Sequence, residues 1–315
     1  MPTLGIDLGG TKLAVALFSR SGVIISNEIT PLNNRKGSEV GQLITEQIMK
    51  YIISQGPALR AIGISVPGIS RRKTGTVWAP NIAGWEDYPL LQEIKQVAGN
   101  IPVSIDSDRT CYILGELWQG NAKGCTDAIY LSVGTGIGAG ILVNGNVLHG
   151  AHDIAGAIGW LALDKPFQKK YIACGCFEYY ASGEGIARLT RETLAQNPAY
   201  MGELKNLASE KITTQQVFTA FEKQDSIALQ VLEECIQYWG MAVANLISIF
   251  NPEKVIFGGG VFGPAVQFIP AIQEEAARWA QPVSMTQVSF QPSALGGDAG
   301  VYGAGFLALR NIAHA

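Results

Sequence analysis

Charge is scarce in this sequence. Only 16% of its 315 residues are Asp, Glu, Lys or Arg, and the formal net charge is −3. Without a basic excess there is no face for general binding to nucleic acid, which requires clustered Lys and Arg. Long apolar runs are missing too: no stretch of about 20 such residues exists, which argues against a membrane helix. Met1-Pro2-Thr3 leads directly into a strand pattern, so no cleaved leader is expected and a cytoplasmic location is. The five cysteines (Cys111, Cys125, Cys174, Cys176, Cys235) are scattered and odd in number, as in a reduced chain without a disulfide framework. Two nucleotide signatures are absent. No GxxxxGK[ST] occurs, which excludes a P-loop, and the glycine run at 134–140 leads into a strand where the Rossmann turn needs a helix.

What the chain does have is glycine, 37 residues of it, and an apolar fraction of 47%. That composition is globular with apolar surface to spare, a hint of a subunit interface. The length exceeds one core of ordinary size and predicts two lobes. Two stretches share one design. LGIDLGGTKLAVAL, residues 4–17, and LSVGTGIGAGILV, residues 131–143, each read as an apolar strand, a glycine turn and a second apolar strand. Glycine leaves the backbone N–H groups of such a turn open to phosphate oxygens. A pair of these turns on separate halves of one chain points to two lobes gripping one polyphosphate.

The remaining pattern predicts a strand at 23–29, a helix through 40–52, and alternating strands and helices at 61–66, 90–98, 103–105 and 110–118. After the second hairpin come an irregular segment at 150–180, a long helix at 228–250, a strand at 254–257 and a glycine- and alanine-rich terminal helix at 296–309. This is an α/β chain with mixed sheets. The chain is expected to cross between lobes near Gly120 and again near Gly296, giving a small lobe of residues 1–119 plus 297–315 and a large lobe of 120–296.

Several residues could carry chemistry. Asp7 ends a strand just before Gly9, Gly10, Thr11 and Lys12; a carboxylate there can hold a hydrated Mg²⁺ while the glycine amides meet phosphate. Thr11 can add a hydroxyl, and Lys12 is either a phosphate contact or a solvated charge. In the second hairpin Gly134, Thr135, Gly136 and Gly138 would play the phosphate-binding part, the alternative being a glycine-bulged hairpin. Asp106 sits at the C-terminal end of a strand, where open α/β sheets place their ligands, and can act as the general base. Asp108 then reads as the N-cap of the next helix. Gly258, Gly259 and Gly260 follow a buried strand and suit either a flat ring lying on backbone or a tight turn. Cys174-Gly-Cys176 has too few ligating neighbours for zinc and also reads as two small buried residues.

Taken together, LGIDLGGTKLAVAL, the VPG at 66–68, APNIAGW at 79–85, Asp106, SVGTGIGAGI, GCFE at 175–178 and VIFGGGV resemble the ROK family of sugar kinases, over nearly the whole chain. The resemblance implies the two-lobed actin-like ATPase (ribonuclease H-like) fold, with mixed five-stranded sheets and flanking helices. It implies transfer of the ATP γ-phosphate to a sugar hydroxyl, with Asp106 as base, both hairpins on the phosphates and the 258–260 turn near adenosine. It also implies a homodimer. ROK repressors add a DNA-binding helix-turn-helix at the N-terminus, and none is expected ahead of a strand that starts at residue 4.

Departures from the family matter for the acceptor. The usual sugar-binding Asn, Glu and His fall on Ile105, Ala157 and Trp160, while Asn81 and Glu178 are kept. With Pro67, Gly68, His152 and Asp153 these residues are the expected acceptor pocket. Two cysteines of the family zinc motif fall on Lys169 and Tyr171 and its histidine on Trp160, so the structural zinc is expected to be absent. Three lost polar partners predict a non-standard acceptor, a modified sugar or a C7-cyclitol. An ordinary hexose kinase and a catalytically inactive sugar sensor are the alternatives.

Overall fold

A computed structural model describes residues 2–313. Met1, His314 and Ala315, the outermost residues of the predicted small lobe, lie outside that range. The chain opens with β1 (Thr3–Leu8), β2 (Lys12–Phe18) and β3 (Ile24–Pro31), then α1 (Ser38–Gln55), β4 (Ile62–Val66), a short pair β5 (Ile69–Arg71) and β6 (Thr76–Trp78), α2 (Leu90–Ala98), β7 (Val103–Ser107) and α3 (Asp108–Gln119). The second half runs through β8 (Ala128–Val133), β9 (Ile137–Val143), β10 (Asn146–Val147), α4 (Cys176–Ala181), α5 (Gly183–Gln196), α6 (Thr214–Glu222), α7 (Ser226–Phe250), β11 (Lys254–Gly258), α8 (Ile269–Ala277), α9 (Pro282–Met285), β12 (Ser289–Pro292) and α10 (Ala299–Ala313).

The repeat seen in the hairpins extends to whole sheets. One sheet has the order β3-β2-β1-β4-β7 and the other β10-β9-β8-β11-β12. In each, an antiparallel hairpin is flanked by two further strands that run parallel to its first strand. Cover on both faces of each sheet explains the near-continuous apolar composition and burial of β4, β8 and β11. Each sheet has its own apolar core, one built on Leu4, Ile6, Ile44, Ile64 and Trp85, the other on Ile129, Phe177, Val243 and Phe257.

The terminal α10 returns to the first sheet and lies against β1, β4 and α3. Its small residues are required by that approach. A Cβ on Gly63 would stand 1.9 Å from the Ala304 carbonyl oxygen, and one on Gly303 would stand 1.7 Å from that of Cys111. Neither backbone could stay in place. Between β4 and α2, where the sequence pattern gives only turns, β5 pairs with β6 through Ile69–Trp78 and Ser70–Val77, and Trp85 stacks on Tyr88 at 4.4 Å.

Candidate active site

In the first hairpin the Gly9 N–H closes onto the Lys12 carbonyl at 2.9 Å, leaving Gly10, Thr11 and Lys12 exposed at the tip. A Cβ added at Gly10 would meet the Asn81 amide nitrogen at 3.4 Å, so Asn81 lies beside this turn. Asp7 stands at its base. Burial, with the charges of Asp108 and Asp298 adding to it, pushes the Asp7 carboxyl up to about 6. A carboxylate so placed fits a hydrated divalent cation, which needs only one or two protein carboxylates besides the phosphates it bridges. No three His, Cys, Asp or Glu side chains gather as a self-sufficient metal cage among the described residues.

The second hairpin is tighter. Gly134 N–H reaches the Gly136 carbonyl at 2.9 Å, and the Gly134 carbonyl accepts from Gly183 N–H at 2.7 Å. No atom lies within 4 Å of a Cβ built on Gly134, so its backbone faces open space. That space is a cleft of about 610 Å³ lined by Gly134, Thr135, Glu184, Thr214, Phe218 and Gly260 among others. Its size is in the range of small-molecule sites. The 258–260 turn divides its labour. A Cβ on Gly258 would strike the Tyr130 hydroxyl at 1.9 Å, and Gly259 has φ +87° and abuts the Val133 carbonyl; only Gly260 borders the cleft with free space beside it. The far wall, Glu184, Arg191, Ile212, Thr213, Thr214 and Phe218, comes from α5, α6 and the link between them, none of which carries a glycine turn or motif that would single it out.

Around β7 the structure moves the expected helix cap by one residue. Ser107, not Asp108, caps α3: its backbone is extended and its hydroxyl accepts from the Thr110 N–H. Asp108, one residue on, is already helical, and its carboxylate accepts from the Arg109 N–H at 2.8 Å. Among the described residues no side chain bonds to it. Burial raises its carboxyl above the ordinary value, and its charge reaches Asp7. Asp106 is fully engaged. Its two oxygens accept from the Ser107 N–H and meet the His149 Nε2, each at 2.8 Å, and the residue is 6% exposed. Asp106 and His149 border a separate hollow of about 350 Å³ with Arg72, Asn146, Leu307 and Arg310, which shares no residue with the larger cleft.

The acceptor residues divide. Glu178 reaches back from α4 to accept from the Ile137 N–H of the second hairpin at 2.7 Å, and its carboxyl is raised by burial. Cβ atoms on Gly136 and Gly159 would meet its Oε2 at 2.8 and 2.9 Å, so these glycines make room for it. Trp160 follows Gly159 and is 59% exposed; Ala157 is half-buried. Gly68, after Pro67, holds φ +83° and its carbonyl accepts from Arg109 Nη2 at 3.1 Å. Arg109 was not foreseen. Its stem touches the Gly138 position and its buried Nε has no partner, so it spans from the Pro67-Gly68 turn to the second hairpin.

Three expected acceptor residues are placed elsewhere. Ile105 lies on the face of β7 opposite Asp106 and packs against the first core. Asp153 spends its carboxylate on the Arg72 backbone N–H and Nε, at 3.1 and 2.5 Å. His152 is exposed and makes no side-chain bond among the described residues. The phase of β7 accounts for Ile105 and an ion pair across 81 residues for Asp153.

Duplicated α/β sheets, each opening on a glycine hairpin, with a cleft beside the second hairpin, define the actin-like ATPase fold class. The model of the ROK family matches residues 3–311, and the chain belongs to that family. It is 32% identical over 314 residues to a glucokinase from Halalkalibacterium halodurans, with 96% of this chain and 94% of the relative covered. Among solved structures it resembles the ROK hexokinase of Thermus thermophilus, at TM-score 0.81 and 27% identity over the full length of both chains. It also resembles a ROK glucokinase from Streptomyces griseus in complex with glucose and AMPPNP, at TM-score 0.77 and 27% identity, covering 98% of this chain and 100% of that one. No helix among the described residues is long and apolar enough to cross a membrane.

Proposed function

We propose that this protein transfers the γ-phosphate of ATP to a hydroxyl of a sugar. The observation that carries the proposal is the pair of bare glycine turns at equivalent places in duplicated sheets, with two carboxyls of raised pKa, Asp7 and Asp108, close enough to feel each other's charge. The family relatives that act on glucose support the same reading. Amides at Gly10, Thr11 and Thr135 would hold phosphate oxygens, and the wall from Glu184 to Phe218 with Gly260 would take the nucleoside. Asp7 would hold Mg²⁺ through water, where the ion supplies neutralisation of developing phosphate charge.

The geometry favours Asp108 over Asp106 as the base. A base must have a free lone pair directed at the acceptor proton and a pKa above that of an ordinary carboxylate. Asp108 has no side-chain partner and is raised by burial; Asp106 has both oxygens in use. Asp106 then acts through His149 to fix the end of β7. Closure of the lobes over both substrates would exclude water from the reacting hydroxyl.

For the acceptor, the missing polar partners number two and not three, because Ile105 belongs to the core. Ala157 and Trp160 offer no hydrogen bond to a sugar hydroxyl in the pocket, and each unpaired buried hydroxyl costs about 1–3 kcal/mol. Asn81, Glu178 and Arg109 are the polar groups left near the hairpins. A modified sugar fits this set better than free glucose, and the names of the relatives give the cyclitol alternative no support. Assembly as a homodimer belongs to the same reading and rests on the family resemblance.

The test is ATP-dependent ADP release over a panel of free hexoses, deoxy, amino and keto sugars, glycosides and a C7-cyclitol. Best efficiency with a modified sugar is the expected result. Glucose or N-acetylmannosamine as the best acceptor would refute the non-standard acceptor and leave the kinase standing. Ligand binding without turnover of any polyol would favour the sensor.

A further inference from the structure

The residues between Trp160 and Cys176 do not fit the zinc that the family resemblance implies. Zinc takes about four N or S ligands, and the matching positions carry Trp160, Lys169 and Tyr171, with thiols left only at Cys174 and Cys176. The same stretch carries a different kind of clasp. Tyr171, buried, donates its hydroxyl to the Asp164 carboxylate at 2.9 Å, and the Tyr171 and Tyr180 hydroxyls stand 2.9 Å apart. The Lys170 ammonium lies 4.8 Å from the ring centres of both Tyr179 and Tyr180 and 5.7 Å from that of Tyr171. All three distances are within the range at which a cation is held by the negative ring face.

We propose that this lysine–tyrosine–aspartate cluster does the work of a structural metal, locking the 164–171 loop onto α4 and so aiming Glu178 at the second hairpin. The inference rests on the sugar-kinase reading of the site. Tyr179 and Tyr180 directly follow Glu178 on α4, a helix of only 6 residues with no side-chain cap. So short a helix does not hold its own geometry. The cluster supplies what the helix lacks. Tyr180 stacks on Tyr238 of the long α7 at 4.5 Å, while Arg188 of α5 covers Tyr179 and bonds its carbonyl at 3.0 Å. Loop, helix and bundle are thereby joined around one ammonium. Glu178 is the one acceptor-side carboxylate that reaches the hairpin, so a loosened α4 would be read in acceptor binding before nucleotide binding.

Lys170→Met keeps the stem and removes the charge; Tyr171→Phe keeps the ring and removes the hydroxyl. Metal content of the purified protein, substrate-free melting temperature, and KM for acceptor and for ATP are measured on both, with Lys170→Arg as the rescue. The expected result is no stoichiometric zinc and no effect of a chelator. Melting should fall by about 2–4 °C in each variant, and acceptor KM should rise about three- to tenfold at unchanged ATP KM. Lys170→Arg should restore both. A stoichiometric zinc whose removal lowers the melting temperature would overturn the proposal. Variants that melt with the wild type, or that melt lower with acceptor KM unchanged, would also overturn it. If no sugar is phosphorylated, the kinase reading fails, while metal content and melting still decide the cluster.

Discussion

Replacing the two aspartates at the end of β7 one at a time separates base from brace. Asp106→Asn keeps the shape and one acceptor: the amide oxygen can still take the Ser107 N–H, now bonded at 2.8 Å, while the new NH₂ must face His149 Nε2. The imidazole can turn its unprotonated nitrogen toward that NH₂, so the loss is one charge-assisted bond, about 1–2 kcal/mol of stability. If the reaction proceeds through Asp108, turnover in Asp106→Asn stays within about tenfold of wild type. Asp108→Asn removes the free carboxylate, and with it the general-base contribution of about 10²–10⁴ in kcat. Its burial cost disappears too, so this variant should be as stable as the wild type or more so. The assay is ADP release at saturating ATP with the best acceptor of the panel, over a pH series, with thermal melting as the fold control. Because burial raises the Asp108 carboxyl and a base must be ionised, wild-type kcat/KM should fall on the acid side at a pH above the ordinary carboxylate range. That limb should be missing from the residual activity of Asp108→Asn. A thousandfold loss in Asp106→Asn beside near-normal Asp108→Asn would refute the reasoning, whatever the melting curves.

Two further outcomes follow from buried carboxylates. Asp7, raised from 3.8 to about 6, favours the folded state only while protonated. That contribution is complete below pH 3.8 and is lost as pH rises through about 6. Ligand-free Asp7→Asn should therefore be more stable than wild type to urea at neutral pH, by up to about 3 kcal/mol, with the gap closing toward pH about 4; a gap that does not change with pH would sink this. Glu116 is fully buried beside both expected chain crossings, near Gly120 and Gly296, accepting from Asn121 N–H at 2.7 Å, Ser293 Oγ at 2.5 Å and Leu295 N–H at 3.2 Å. Glu116→Ala strands these donors and should cost about 3–5 kcal/mol in urea unfolding, Glu116→Gln less; a cost under about 1 kcal/mol for alanine would show that the crossings do not depend on it.

The hairpins and the order of elements were legible because each depends on local signals: period-2 apolar strands and glycine where a Cβ would block the backbone. Those signals occur twice, and so do the sheets. Asp106 and Asp108 could not be assigned the same way. Both aspartates follow a strand and precede a helix, and Ser107 between them is as good a cap as either. What favours Asp108 in the proposal is the bond between Asp106 and His149, 43 positions apart in sequence. Ile105 was misplaced for a related reason: alternation assigns the face only once the phase of the strand is known. The cleft wall on α5 and α6, proposed to take the nucleoside, was illegible because Phe218 and Ile212 have the spacing of core residues, and they are core residues on their other side. Arg109 gave no signal at all. An arginine in the first turn of a helix reads as solvated, and only the fold brings the Gly68 carbonyl to it.

Duplication of the sheet has not meant duplication of the charge. In the first half the carboxylate beside the glycine turn is Asp7, carried by the strand itself, and its position is as rigid as β1 between β2 and β4. In the second half the equivalent strand, β8, ends in Val133, and the carboxylate at the hairpin is Glu178, delivered from α4 beyond a loop of mostly irregular chain. In the roles proposed, a metal-holding Asp7 fixed in a sheet cannot shift without disturbing the core, whereas an acceptor-binding Glu178 on the short α4 can be re-aimed by changing the cluster that holds that helix. Of the departures from the family pattern, those at Ala157, Trp160, Lys169 and Tyr171 lie on that loop side, whereas Ile105 lies on β7 and packs against the first core. On this proposal divergence in what is phosphorylated proceeds there, while the frame that carries the hairpins stays as it is: an added Cβ at Gly63, Gly140 or Gly303 would stand only 1.7–2.1 Å from backbone.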